Sequence, residues 1–362
     1  MPSIYFTVTT DLSYDQRMIR ICTSLAGEGY TVTLVGRKIN SSIPLLPQPY
    51  KQKRINCFFE NGKLFYAEFN TRLFFYFLFK KMDGICAIDL DTILPCYFIS
   101  ELKKVKRIYD AHELFCEMKE VMSRPKIYKI WKWIEKRTVP YFPNGYTVNK
   151  PIADEFYKMY GCKYEVIRSI AILQPLLQQQ KKEKYILYQG AVNEGRSFET
   201  LIPAMQLINA PLYICGDGNF MHQAKKLAEQ YKVTEKIFFK GMLSPQLLRT
   251  YASQAYIGIT LFENTGLSNY YSLANRFFDY IHAAVPQLCV NYPAYREINN
   301  LHHIAVLIDD LSPENIASNI NEMLNNRDKW EAYKTNCIEA SKVLNWQNEE
   351  KKLLLFYKRI FE

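Results

Sequence analysis

The strongest constraint on this chain is a pattern that recurs along its length. A short run of β-branched and aromatic residues is followed by a polar or glycine turn and then by a stretch with helical spacing. The run "SIYFTVT" comes first and the polar "TDLSYDQR" follows; then Met18, Ile21, Cys22 and Leu25 fall at i, i+3, i+4 and i+7. At 3.6 residues per turn those positions share one face, so the spacing predicts an amphipathic helix. Gly27 and Gly29 end it, and "YTVTLVG" reads as a second strand. A strand–helix–strand unit needs a parallel sheet, because the helix carries the chain back to the starting edge.

The unit repeats. "GICAIDL", "VKRIYD" and "GYTVN" read as further strands, with helices at "ILPCYFISELKK" and "PIADEFYKMY". The rhythm breaks over 169–184, "SIAILQPLLQQQKKEK", where no periodicity is visible. It then restarts with "YILYQG", "PLYICGDGN", "KIFFKGM", "YIGITLF", "QLCVN" and "IAVLI" as strands. The expected fold is therefore α/β, with two Rossmann-like domains that are each a parallel sheet flanked by helices, and a cleft between them. The boundaries read as 1–168, a linker at 169–184, and 185–345, with an amphipathic helix over 346–362 packing back on the first domain. A chain of 362 residues, 48% of them apolar, is long enough for two such cores.

Several classes are set aside. The nine cysteines are scattered with no CxxC pair, which reads as core thiols in a reducing compartment rather than a disulfide frame or zinc site. The N-terminus lacks the features of a signal peptide, and the most apolar run, "LFFYFLF" from Leu73 to Phe79, is too short to span a bilayer. A cytoplasmic protein is expected. That run is either a core helix or, with Arg72, Lys80 and Lys81 around it, a patch touching a membrane face. The net charge of +10 suits a phosphorylated substrate or an anionic surface. The basic residues form no single stripe interleaved with aromatics, which argues against nucleic acid.

Parallel sheets bind ligands beyond the carboxyl ends of their strands. In the first domain the polar residues there are Asp11, Asp15, Arg17, Asp89, Asp91, Asp110, His112 and Glu113. His112 is placed to contact a ligand, to act as an acid or base, or to cap a turn. Asp89 and Asp91, in "DLD", resemble an acidic metal motif, but Asp91 equally suits a cap on the helix that follows from Thr92, and both are acceptor-side candidates. In the second domain the corresponding residues are Gln189, Gly190, Arg196, Gly216, Gly218, Lys240, Gly241, Met242 and Glu263. Paired glycines such as those of "CGDGN" either admit a phosphate to backbone N–H groups or make a tight turn. A guanidinium at Arg196 is either an ordinary surface arginine or a group suited to bidentate contact with a diphosphate. The stretch "YYSLANRFFDYIHAAVP" predicts a helix from about Leu273 to Pro286, capped by Ser272, with Phe277, Ile281 and Ala284 inward. Asn275, Arg276 and Asp279 then fall on another face, as an ion pair on the surface or as ligand contacts.

Together, "TTDLSYDQRMIRICTSLAGEGYTVTLVGR", "DLDTILP", "YDAHELF", "LYQGAVNEGRSFETLI", "ICGDGN", "FFKGMLSPQLL" and "SLANRFFDYIHAAVP" resemble the family 4 retaining glycosyltransferases of GT-B fold, nearest in look to bacterial enzymes of capsule or O-antigen synthesis. The resemblance implies a UDP- or GDP-sugar bound by the second domain and a saccharide or lipid-linked acceptor bound by the first. It implies no metal and no cofactor. Arg196 would neutralise the diphosphate, Gly216 and Gly218 would lie near it, and the backbone of "FKGM" would read the base. Asp279 would hold the ribose and His112 would reach the donor sugar. Tyr271 stands where the family carries a glutamate, and Ala284 where many members carry glycine. A GT-B sugar-nucleotide epimerase and a non-catalytic basic membrane- or nucleic-acid-binding protein are the competing readings.

Overall fold

The structure is a computed structural model that describes residues 1–177 and 184–362. It divides into two compact units, Met1–Ser169 with Glu349–Glu362, and Ile170–Asn348. The expected linker at 169–184 lies partly outside the described residues; Ile170, within its described part, is already buried in the core of the second unit.

The first unit holds seven strands: β1 (Ser3–Thr7), β2 (Thr31–Lys38), β3 (Lys51–Asn56), β4 (Gly84–Ile88), β5 (Lys106–Ala111), β6 (Asn144–Thr147) and β7 (Glu165–Val166). They form one sheet in the order β3-β2-β1-β4-β5-β6-β7, parallel at every pairing. The order reverses between β1 and β4, which makes their carboxyl ends the switch point. β4 is buried along its whole length, as a central strand covered on both faces must be. The sequence carries no period-2 signal for β3, "KQKRIN". It is an edge strand, and its charged side chains keep that edge from pairing with another chain.

Crossovers are right-handed, so the direction of each step along the sheet decides which face its helix covers. The steps β3→β4, β4→β5 and β5→β6 run one way, so the helices Gly62–Leu78, Ile93–Lys103 and Pro125–Thr138 share a face. The step β1→β2 runs the other way and puts Gln16–Gly27 opposite. From Glu349 onward the C-terminal helix Trp346–Phe361 belongs to this unit. Leu353 and Tyr357 are fully buried, and the Tyr357 hydroxyl meets that of Tyr146 at 3.3 Å.

The second unit has six strands: β8 (Ile186–Gln189), β9 (Leu212–Cys215), β10 (Ile237–Gly241), β11 (Ile257–Thr260), β12 (Gln287–Val290) and β13 (Ala305–Ile308). They too are parallel, in the order β10-β9-β8-β11-β12-β13, with the switch between β8 and β11. Both units are thus Rossmann-like.

The helix expected from Leu273 is corrected. A short turn of helix, Leu267–Tyr270, comes first, and the main helix is only Asn275–His282. Ser272 does not cap it; its hydroxyl lies 3.5 Å from that of Tyr295. The helix also ends before Pro286. Ala284 takes φ +52°, and the Val285 N–H reaches back to the Tyr280 carbonyl at 2.9 Å, closing the last turn in a Schellman motif.

Candidate functional site

Each unit gathers polar groups at the carboxyl ends of its central strands. In the first unit Asp89 follows β4 with φ +52° and only 7% exposure. Its N–H is bonded to the Asp110 carbonyl, and its Oδ1 accepts the backbone N–H of His112 at 3.2 Å. The His112 Nδ1 lies 2.9 Å from Asp89 Oδ2. Burial alone would lower the imidazole pKa, but the Asp89 carboxylate outweighs it and raises it to about 10. At neutral pH His112 is therefore a cation that donates. Asp91 accepts from the Thr9 hydroxyl at 2.6 Å, and its pKa is pushed up to about 7 by burial and then by neighbouring Asp89. Asp89, His112 and Glu113 bring three ligand atoms within 4.8 Å of one another.

Other first-unit candidates have local employment. Asp15 caps the helix Gln16–Gly27 by accepting from the Met18 N–H. Asp11 accepts from Ser13 at 3.1 Å and faces Arg54 at 3.6 Å. Arg17 is buried, its Nε and Nη2 forked on the Asp110 carboxylate at 3.1 and 2.7 Å.

In the second unit the loops after β8, β9 and β10 interlock through backbone. Gly190 donates to the Cys215 carbonyl and Gly216 to that of Gly241. Gly216 has φ +151°, and a Cβ there would sit 1.8 Å from the Gly190 carbonyl oxygen. A Cβ on Gly218 would sit 2.4 Å from the Val192 carbonyl oxygen, and the Gly218 N–H is bonded to Asp217. Only glycine admits the neighbouring loop at both places. Lys240 lays its ammonium over the Tyr213 ring at 4.8 Å, and Gly241 turns the chain with φ +66° into the exposed Met242.

Beside these loops the end of β11 collects cations. Arg196 and Arg276 both stack on the Phe262 ring, each 4.5 Å from its centroid. Arg276 also lies over Tyr188 at 4.6 Å and donates to its hydroxyl at 3.2 Å and to the Leu261 carbonyl at 3.4 Å. Its Nη1 comes within 3.4 Å of where a Cβ on Gly190 would stand. Asp279 accepts from the Gln189 side chain at 2.8 Å. The polar triplet therefore does not present one outward face: Asn275 is exposed, Asp279 half-buried and Arg276 buried at 7% exposure. The later helix start and the pull of two aromatic rings draw Arg276 inward. Tyr271 is half-buried against Tyr270, and Leu273 leans on the core.

Phe262, Tyr188 and Gln189 do most to shape this place. Gln189 ends β8 and Tyr188 precedes it, while Phe262 lies just beyond the end of β11; only Gln189 stands out in the sequence as a polar residue at a strand end, and nothing local says what collects there. The Phe262 ring thus brings two cationic donor groups to one place, an arrangement suited to contact with an anion.

Residues 174–343 match the family described as glycosyl transferases group 1. No curated protein sequence matches the chain. Among solved structures, it is similar to sucrose-phosphate synthase from Thermosynechococcus elongatus, with a TM-score of 0.81 at 16% identity over 100% of this chain and 99% of that one. It is similar to Anabaena HepE in complex with UDP-glucose, with a TM-score of 0.72 at 11% identity over 99% and 100%. It is also similar to a mutant of S. aureus TarM in complex with fondaparinux, α-GlcNAc-glycerol and UDP, with a TM-score of 0.76 at 10% identity over 100% of both. The fold is GT-B: two Rossmann-like domains, each a parallel sheet flanked by helices.

Proposed function

We propose that this chain is a retaining, metal-independent glycosyltransferase that moves a sugar from a UDP- or GDP-sugar to a saccharide or lipid-linked saccharide, in the synthesis of a cell-surface polysaccharide. The observation that carries the reading is the convergence of Arg196 and Arg276 on Phe262, at the end of β11 and next to the Gly190 turn. The family match over residues 174–343 and the GT-B relatives that bind UDP or UDP-glucose support it. The difficult step in such a transfer is departure of the nucleoside diphosphate with its growing charge. Fixed cations in place before the reaction stabilise that charge without reorganisation. Asp279 suits the ribose hydroxyls, and the His112 imidazolium offers an N–H to a sugar hydroxyl. An epimerase on the same architecture would ask for acid and base groups at the sugar, and of the candidates only His112 is so placed; product analysis with a nucleotide sugar and no acceptor separates the two.

The test begins with a thermal-shift screen of UDP-, GDP-, ADP- and CMP-sugars, since a ligand that binds only the folded state raises its stability. With the donor chosen, turnover is followed as release of nucleoside diphosphate. Arg196→Ala is expected to lower it by about 10²–10³-fold, the usual effect of removing one charge-stabilising donor, while chelators leave it unchanged. Full activity in that variant would overturn the assignment, and loss with chelator would return the metal reading to Asp89 and Asp91.

We propose in addition that the first unit makes peripheral contact with an anionic membrane face. No helix among the described residues is long and apolar enough to cross a membrane. Within "LFFYFLF", Leu73 and Phe77 are buried, while Phe75 and Phe79 are exposed, Phe79 at 83%. The next two helices of that layer expose Phe98 and Leu102, and Ile130 and Trp133. On the last of them Lys126, Ile130, Trp133 and Arg137 follow at i, i+4, i+7 and i+11, so apolar and basic groups share one stripe. Co-sedimentation with vesicles of phosphatidylcholine plus phosphatidylglycerol, and its loss in Ile130→Glu/Trp133→Glu, is expected; equal binding by that variant would refute the contact.

A further inference from the structure

Gln189 is the last residue of β8 and is 3% exposed. Both of its ends are tied to one helix, some ninety residues later in the chain. Its side-chain Nε2 donates to Asp279 Oδ2 at 2.8 Å, and its backbone N–H donates to the Tyr280 hydroxyl at 3.2 Å. That hydroxyl donates in turn to the Leu187 carbonyl at 2.8 Å, and Tyr280 is fully buried. The helix therefore cannot rotate about its axis without breaking bonds at both residues. The amide orientation is fixed as well, because a flipped group would set its carbonyl oxygen against a carboxylate.

A second observation points toward a ligand. The Gln189 Oε1 is buried and has no hydrogen-bond partner among the described residues. A glutamine kept only for packing would have both halves of its amide satisfied, since an unmade buried hydrogen bond is costly. Here the donor half holds Asp279 and the acceptor half is left beside it. A vicinal diol brings two O–H donors to one place and complements a carboxylate, and of the two residues it is the half-buried Asp279, held by the Gln189 amide, that can present one.

We infer that Gln189 positions the Asp279 carboxylate for a ribose diol and so makes the second unit select ribonucleoside diphosphates over their deoxy counterparts. The inference rests on the assignment of Asp279 to the donor ribose. Gln189 acts through Asp279, so it is a positioning residue, and its signature is selectivity rather than affinity alone.

The experiment is calorimetric titration of the whole chain with UDP, GDP and ADP and with the 2′,3′-dideoxy forms of whichever binds. The wild type is expected to prefer the ribose form by about tenfold or more, the scale of a hydrogen bond to a charged group. Gln189→Met keeps the volume and removes both polar atoms; its preference should fall to within about twofold. Gln189→Glu keeps the acceptor but sets a like charge against Asp279. Its preference should be absent at high pH and return as the pair takes up a proton, because a protonated carboxyl donates as the amide does. Melting temperatures of both variants establish that they fold, and the pH dependence in the second is one that a packing defect does not produce. If no nucleoside diphosphate binds the wild type, the functional reading fails first. If one binds and Gln189→Met keeps the full ribose preference, the positioning role fails alone. If the wild type itself shows no preference, the diol assignment of Asp279 is overturned.

Discussion

Replacing Asp110 by alanine should strip the first unit of its most deeply set charge partner. Asp110 is completely buried, Arg17 is 8% exposed, and the two are joined by two hydrogen bonds at 3.1 and 2.7 Å. The Arg17 Nη1 lies 3.5 Å from the Ile167 carbonyl, a weak substitute. A guanidinium cannot escape by losing its proton, and its pKa here is driven further upward; burial opposes that, and Asp110 outweighs it. Asp110→Ala would leave a buried cation uncompensated, at a cost of about 3–5 kcal/mol. For a unit of this size each kcal/mol moves the melting temperature by about 2–4 °C, so the expected fall is roughly 6–20 °C. The assay is a thermal melt of the whole chain followed by calorimetry, with the transition of the second unit as internal reference. The paired variant Arg17→Met/Asp110→Leu replaces both charges by packed apolar groups and should recover most of the loss, because a buried pair is worth little against a hydrophobic equivalent. A fall of less than about 1 kcal/mol for Asp110→Ala, with no recovery in the double variant, would refute the reasoning. If the double variant is stable yet inactive, Arg17 has a role beyond structure.

Two further expectations follow from the two sites. The His112 pKa is raised in the folded chain, so its ion pair with Asp89 contributes stability that is fully present below the unfolded value near 6.5 and is lost as pH rises toward 10; Asp89→Asn should flatten that part of the stability-versus-pH curve and bring the imidazole titration, followed by NMR, back toward its ordinary range. Gly216→Ala sets a Cβ against the Gly190 carbonyl at 1.8 Å and should lower the melting temperature of the second unit with no ligand present; an unchanged melt would mean that the glycine serves a ligand and not the neighbouring loop.

Local pattern was enough to read the two Rossmann-like units, eleven of their thirteen strands and the strand ends where polar residues gather. Periodicity reports burial, and burial of alternate or stripe positions is a property of a few neighbouring residues. The strands β3 and β7 were not legible, because edge strands are charged or very short and lack a buried face to pattern. What each polar residue does there was decided by the tertiary fold. Arg17 reads like Arg196 as a basic residue near a strand end, but it is locked to a carboxylate 93 positions away. Arg276 reads either as a ligand contact or as a surface partner of Asp279; Phe262 and Tyr188 take it inward, and Gln189 bonds Asp279. Gly216 and Gly218 read equally as a phosphate cradle or a tight turn, and the crossing of the β8 loop accounts for both. In each case the deciding partner comes from another strand or loop, so the energy that selects the arrangement does not exist until the sheet has formed.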